Sequence, residues 1–148
     1  MMRKGLSYPY LLTLGCSWIA IILFFIQSAL AAEDKADSSE DDMALVRAVM
    51  CEFIDAFAPQ NQAVVFSIDV GKISCFTSFD RIESSTFTRH KWFRRDELVT
   101  TKRLTLHPPS WSTYSSIQLR EADKGPWRVE ILNHRNQLIK TLRFSVTD

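Results

Sequence analysis

The sequence is poor in the residues that build redox and metal sites. Its 148 residues include only three cysteines, none of them in a C-x-x-C pair or a zinc-type pattern. The three histidines, His90, His107 and His134, fall in one predicted strand and two predicted loops, without the spacing of a metal site. These absences argue against a dithiol redox motif and a cysteine-ligated zinc site, and we expect neither a metal nor a cofactor.

The sequence also lacks a catalytic constellation and a strong charge of one sign. A histidine that acts as a base needs a nucleophile and an orienting carboxylate nearby, and the predicted strands around His90 offer no obvious pair. The formal net charge is +1, which is too small to favour nucleic acid as a partner. We therefore predict a non-enzymatic protein without catalytic residues that does not bind nucleic acid.

One long hydrophobic run is present, and it lies near the N-terminus. A positively charged start, "MMRK", precedes an apolar run over residues 8–26, and Ala29 and Ala31 then form an A-x-A cleavage signal. The run exceeds the roughly 7–15 residues of a signal-peptide core and approaches the roughly 20 that span a bilayer. Residues 1–31 are thus predicted to be a signal peptide or an uncleaved anchor in the inner membrane. Either way the rest of the chain is expected outside the cytoplasm, periplasmic or secreted, and any contact with a membrane is through this segment.

A short acidic segment separates the apolar run from the domain. Residues 32–42, "AEDKADSSEDD", hold six acids and one lysine and no large apolar residue. A disordered spacer is therefore predicted over residues 32–43. The remaining residues, 44–148, are mildly basic and long enough for one domain.

Residues 44–148 are predicted to form an all-β domain. About seven segments alternate polar and apolar residues, separated by turn signals, and no strong helical period is present. Length and pattern favour an antiparallel β-sandwich, immunoglobulin-like in the broad sense. The alternation predicts these shared faces: Leu45, Val49, Cys51, Phe53 and Phe57; Ile73, Cys75, Thr77 and Phe79; Thr86, Thr88, His90 and Trp92; and Leu98, Leu104 and Leu106.

Two interpretations of His90 and Trp92 remain open. In one, His90 is a ligand or a base in a cleft walled by Trp92, as in a small enzyme or a ligand carrier. In the other, both side chains belong to the core, with the imidazole hydrogen-bonded inside it. Trp111 and Trp127 are likewise candidates for the core or for a pocket, because large aromatic rings dominate both kinds of site.

Outside the N-terminal run the chain has two cysteines, Cys51 and Cys75, and both fall in predicted strands. An exported chain meets an oxidising compartment, where a disulfide between them is allowed. The alternative is a pair of buried free thiols on neighbouring strands.

A basic hairpin is predicted within residues 86–106. Its outward positions and its tip carry five cations, which form a candidate binding surface for an anionic partner: Arg89, Lys91, Arg94, Arg95 and Arg103. Long cationic side chains also prevent strands from pairing edge to edge, which explains the same charges without any ligand. The strand "WSTYSSIQL" poses a similar choice, since Ser112, Tyr114 and Ser116 suit either a solvated face or contact with a glycan or peptide.

The order of several stretches resembles a bacterial family catalogued as domain of unknown function 2914. These stretches are "AVMCEFIDAFAP", "GKISCFTSF", "TRHKWF", "WSTYSS", "GPWRVEIL" and "LRFSV", and the resemblance extends over roughly residues 46–146. The chain departs from the family pattern at Ser112, where an arginine is frequent, and at Arg95–Asp96, where a turn glycine is frequent. The resemblance implies an all-β extracytoplasmic module and supplies no activity and no catalytic residues.

The sequence thus predicts an exported, non-enzymatic β-sandwich that binds a protein or a cell-envelope polymer. Two alternatives stay open at this stage. One is a small enzyme or ligand carrier with a cleft near His90 and Trp92, and the other is a purely structural domain of the envelope.

Overall fold

The computed structural model describes residues 43–148, which contain nine strands, two short 3₁₀-helices and no α-helix. The predicted signal or anchor and residues 32–42 of the predicted spacer lie outside the described residues. No helix within residues 43–148 is long and apolar enough to cross a membrane. The strands are β1 (Ala44–Asp55), β2 (Ala58–Gln62), β3 (Val65–Ser67), β4 (Lys72–Asp80), β5 (Thr86–Arg94), β6 (Glu97–Leu106), β7 (Trp111–Gln118), β8 (Gly125–Leu132) and β9 (Leu138–Thr147), and the 3₁₀-helices are Ile68–Val70 and Glu121–Asp123.

Two sheets form a β-sandwich, which confirms the predicted fold. The four-stranded sheet has the order β2-β1-β4-β7, and the five-stranded sheet has the order β3-β9-β8-β5-β6. All neighbouring strands run antiparallel except β3 and β9, which are parallel. Met43, assigned above to the spacer, is buried in the core.

The two strands beyond the predicted seven are β2 and β3. The hairpin between β1 and β2 turns at Ala56 and Phe57, whose φ angles are 45° and 60°. Two successive residues with positive φ fit the twist of a two-residue hairpin, but the usual sequence signal for such a turn is Asn-Gly or Asp-Gly. The Ala-Phe turn carries no such signal, so the sequence does not indicate the strand that follows it.

Strand alternation correctly predicted the interior of β4 and β5. Ile73, Cys75 and Phe79 of β4 and Trp92 of β5 are fully buried in the core. Trp127 joins them, with its ring stacked on Phe144 at a centroid distance of 6.1 Å. These aromatic rings fill the space between the sheets, as expected for large apolar side chains.

Trp111, a core candidate, is instead 42% exposed. It is the first residue of β7, which is an edge strand of its sheet. Its ring packs edge-on against His107 at 4.7 Å between centroids. The position at the end of an edge strand explains why the ring is left near the surface.

Register shifts interrupt two of the predicted faces. The register of β1 against β4 shifts between Leu45 and Arg47, so Ala48 and Met50, rather than Val49, Cys51 and Phe53, continue the inner face. A second shift in the pairing of β5 with β6 places Leu98 opposite Phe93. Leu98 is 54% exposed as a result, whereas Leu106 is buried as predicted.

Of the two alternatives for Cys51 and Cys75, the structure has the free thiols and no disulfide. Cys51 lies opposite Ser74 and Cys75 lies opposite Met50, so the two cysteines are offset by one position on neighbouring strands. Adjacent positions point to opposite faces of a sheet, and side chains that point apart cannot be bridged without moving the backbone. Both cysteines are free and buried, and burial raises the pKa of each thiol.

Candidate functional site

His90 lies in a hydrogen-bonded network inside the sandwich. The indole N–H of Trp92 donates to Ser115 Oγ at 3.0 Å, and Ser115 Oγ lies 2.8 Å from His90 Nδ1. On the other side of the ring, His90 Nε2 lies 3.2 Å from Thr77 Oγ1, which donates to the carbonyl oxygen of Thr113 at 3.4 Å. Strands β4, β5 and β7 supply these groups, so the network ties the two sheets together.

The donors and acceptors of this network fix the state of the imidazole. Thr77 Oγ1 gives its proton to the carbonyl oxygen of Thr113, so towards His90 it acts as an acceptor and the ring proton lies on Nε2. Nδ1 then accepts the hydroxyl proton of Ser115, whose oxygen accepts from Trp92. Burial lowers the pKa of His90 to about 4, since the charged form would lose its hydration. No carboxylate takes part, and both His90 and Trp92 have no exposed surface. The cleft considered above for these two residues is therefore not formed, and they belong to the core.

The outer side of β5 and β6 carries a cluster of cations around one aromatic ring. Arg89 and Arg103 lie directly opposite each other, and both guanidinium groups lie close to the ring of Phe87. Its centroid lies 3.8 Å from the guanidinium carbon of Arg103 and 4.6 Å from that of Arg89. Like charges placed opposite each other repel, and the shared cation–π contact offsets part of that cost. We call Phe87, Arg89, Lys91 and Arg103 the basic face.

The carboxylates beside the basic face are already engaged. Arg128 of β8 pairs with Glu130 at 3.0 Å and with Asp96, and its guanidinium lies 4.0 Å from the ring centroid of Phe93. Arg89 donates to the side-chain oxygen of Asn136 at 2.9 Å. Neither Lys91 nor Arg103 forms an ion pair with any residue in the described part of the chain. The basic face therefore presents positive charge that its own strands do not neutralise.

Arg94 and Arg95, the other two cations of the predicted surface, bind elsewhere. Arg94 donates to the carbonyl oxygen of Ala122 and to Asp123, both at 2.8 Å. Arg95 donates to the carbonyl oxygen of Lys124 at 3.4 Å, and its guanidinium lies against Gly125. Both side chains hold the turn that follows β7. The structure thus divides the five predicted cations into three on the basic face and two in a structural contact.

Sequence reasoning missed two further cations next to the basic face. Arg128 and Arg143 lie opposite each other in β8 and β9, on the outer side of the same sheet. The alternation of "WRVEIL" carried the signal, because Trp127, Val129 and Ile131 are buried and the residues between them must point outward.

The outer side of the four-stranded sheet is polar and aromatic. Ser74 and Ser116 share a hydrogen bond of 2.8 Å, and Tyr114 is 46% exposed beside the nearly buried ring of Phe76. The guanidinium of Arg47 lies 5.9 Å from the centroid of that ring. The hydroxyl groups of this side are therefore partly used within the sheet.

Comparisons with known proteins show a similarity to one family over part of the chain. Residues 86–146 match the model of a family described as "Protein of unknown function (DUF2914)". No curated protein matches the chain. Among solved structures, a Se-Met-labelled β-glucosidase from Kluyveromyces marxianus matches 52% of this chain and 13% of its own, with 13% sequence identity and a TM-score of 0.38. The matched part thus spans about an eighth of that enzyme's length.

The family match begins with β5 and ends within β9, so it contains the whole basic face. Residues 86–146 of this chain are thus similar to the DUF2914 family of proteins of unknown function, which bears out the resemblance expected from the sequence over that range.

Proposed function

We propose that this domain is a non-enzymatic binding module of the cell envelope, and that its basic face holds an anionic polymer outside the cytoplasm. The observation that carries the proposal is the excess of positive charge on the basic face, where Lys91 and Arg103 have no ionic partner among the described residues. Residues two apart on a strand lie about 7 Å from each other, so Arg89 and Lys91 form a short row of charges. A row of this kind suits a chain of repeating anions.

The aromatic ring adds to the suitability of the basic face. The contact with Phe87 orients the guanidinium of Arg103. Its N–H groups form no hydrogen bond with the described residues, so they can donate two parallel hydrogen bonds to a carboxylate or phosphate. Arg103 is exposed and lies on β6, the edge strand of the five-stranded sheet. Protection of that edge against other strands is compatible with binding, since both require solvated cations.

The binding test uses the purified chain with two probes, inorganic polyphosphate and poly-L-glutamate, titrated at low and at physiological salt. The double variant Lys91→Glu/Arg103→Glu is expected to lose at least tenfold in affinity, and binding by the native chain is expected to weaken with salt. Lys72→Glu, an exposed charge reversal on the other sheet, is the matched control and should stay within twofold. Equal losses in both variants, or no binding of either probe, would refute the proposal. Binding of poly-L-glutamate alone would direct the search to acidic proteins.

Export is the second part of the proposal, and the basic start, apolar run and A-x-A signal of residues 1–31 support it. Cell fractionation with N-terminal sequencing tests it. A mature chain that begins at Ala32 means a cleaved signal, and an intact chain in the membrane fraction means a retained anchor. An intact chain in the cytosol would contradict export.

A further inference from the structure

One side of the sandwich is closed over only half of its length. Residues 58–67 form a kinked segment whose first half, β2, pairs with residues 51–55 of β1. Its second half, β3, pairs with residues 145–147 of β9. Along this side, residues 44–49 of β1 and 138–144 of β9 have no neighbouring strand among the described residues.

The main-chain groups of these uncovered stretches point to the open side. Met50 accepts a hydrogen bond from the N–H of Ala63 at 3.3 Å, and Ser145 donates to the carbonyl oxygen of Val64 at 2.9 Å. Main-chain groups of alternate residues in a strand point in the same direction. Those of Ala48 in β1 and Arg143 in β9 therefore face the place where the kinked segment would continue. Such an edge is a template for another extended chain.

Two open clefts lie between the uncovered stretches, with volumes of about 390 and 490 Å³. One cleft has mainly apolar walls, which include Ala48, Met50 and Leu142. The walls of the other are mixed, with Leu45 and Ile139 beside charged side chains. Alternate side chains of a strand that paired with β1 would enter these clefts.

The rim of the clefts is positive. It carries Arg47, Arg81, Lys140 and Arg143, and no acidic residue lines either cleft. All four cations are exposed, and none forms an ion pair within residues 43–148. Cationic side chains at an open edge repel basic strands and disfavour uncharged ones, whereas an acidic strand would meet complementary charge. The four cations thus favour an acidic strand over a basic or an uncharged one.

We propose that the open half of this side binds an extended segment of a partner protein by strand addition, and that this segment alternates apolar and acidic residues. Its main chain pairs with β1 or β9, its apolar side chains fill the clefts, and its carboxylates meet Arg47 and Lys140. This inference goes beyond the proposed function, because it uses a different surface and a different class of partner.

The test measures fluorescence anisotropy of labelled nine-residue peptides added to the full chain. The first probe alternates valine and glutamate, and two matched probes either replace glutamate with lysine or carry N-methyl groups on alternate residues. The acidic peptide is expected to bind. The lysine peptide should not bind, and the methylated peptide, which has lost alternate N–H donors, should bind at least tenfold more weakly. Equal binding of the methylated peptide would refute strand addition, and equal binding of the lysine peptide would refute the charge selection.

Charge-reversal variants of the chain identify the surface that binds the peptide. Lys140→Glu is expected to weaken the acidic peptide at least tenfold, while Lys102→Glu, an exposed reversal on β6, should change its affinity by less than twofold. Polyphosphate binding by the same variants separates this site from the basic face. Lys140→Glu should leave polyphosphate binding intact, whereas Lys91→Glu/Arg103→Glu should weaken it. A chain that takes no peptide but dimerises in sedimentation, and loses its dimer in Lys140→Glu, would overturn the proposal in favour of self-pairing.

Discussion

The polar residues on the two faces of β5 differ in their burial and in their partners. On the inner face, His90 and the indole of Trp92 are sealed from solvent, and each of their polar atoms has a partner in the sandwich. On the outer face, the guanidinium of Arg89 contacts the ring of Phe87, and Lys91 has no ionic partner in the described residues. One alternating strand thus holds a hydrogen-bonded network on its inner face and cations that can bind a partner on its outer face. Inner substitutions should therefore change stability, and outer substitutions should change binding.

The largest effect is expected from Trp92→Ala. The side chain is fully buried between the sheets, and its loss leaves a cavity and removes an indole hydrogen bond, at a cost of roughly 3–5 kcal/mol. Urea unfolding followed by circular dichroism measures the change. Phe87→Ala, on the outer face of the same strand, should cost clearly less, and equal losses would break the comparison between the faces.

The free energy of unfolding should depend on pH because His90 is buried in its neutral form. Folding lowers the pKa of His90 from 6.5 to about 4, so between these values the unfolded chain binds the proton and the native chain does not. Stability contributed by neutral His90 is complete above pH 6.5 and is lost as pH falls towards 4, by an amount on the order of 3 kcal/mol.

Urea unfolding of the native chain and of His90→Gln at pH 7.5 and pH 4.5 isolates this contribution from other titrating groups. The variant should lose less stability than the native chain over that interval. A His90→Gln variant with an unchanged slope would show that the imidazole is accessible to protons.

Ser115→Ala tests the network without removing a ring. It leaves Trp92 Nε1 without an acceptor and His90 Nδ1 without a donor, and a buried unsatisfied group costs about 1–3 kcal/mol. Ser116→Ala is the neighbouring control, since its hydroxyl lies on the outer side and pairs only with Ser74. The comparison of the two urea midpoints should show the larger loss in Ser115→Ala.

The smallest effects on stability should come from the cations. Arg94→Ala loses a partly exposed ion pair with Asp123, which is worth up to about 1 kcal/mol, and should leave polyphosphate binding unchanged. Arg103→Ala should alter stability by less than about 0.5 kcal/mol and weaken polyphosphate binding. If Arg94→Ala instead weakened polyphosphate binding and Arg103→Ala left it unchanged, the binding site would be the hairpin tip and not the basic face.

The sequence predicted those parts of the fold that follow regular alternation. The inner faces of β4 and β5 were correct because nothing interrupts the two-residue period there. The period failed at the bulge after Leu45 and at the shift that exposes Leu98, since an extra residue in one strand is set by its pairing partner and leaves no mark in its own sequence. The Ala56–Phe57 turn was missed for a similar reason, because positive φ is imposed there on residues that seldom adopt it.

The candidate site was predicted in part. Alternation alone placed Arg89, Lys91 and Arg103 on one outer face. It could not show that Arg94 reaches Asp123, since that contact joins a hairpin tip to a turn 29 residues away. Contacts of that kind depend on how the strands are ordered in the sheet, which local patterns do not specify.

The opposed thiols of Cys51 and Cys75 make the fold independent of its redox surroundings. With no cross-link to form, the domain should reach the same structure in a reducing cytosol as in an oxidising compartment, which simplifies its production. The same thiols are shielded and protonated in the native state, so alkylating reagents can reach them only when the sheet opens. Each cysteine is thus a built-in reporter: the rate at which it is labelled measures how often its own side of the four-stranded sheet comes apart.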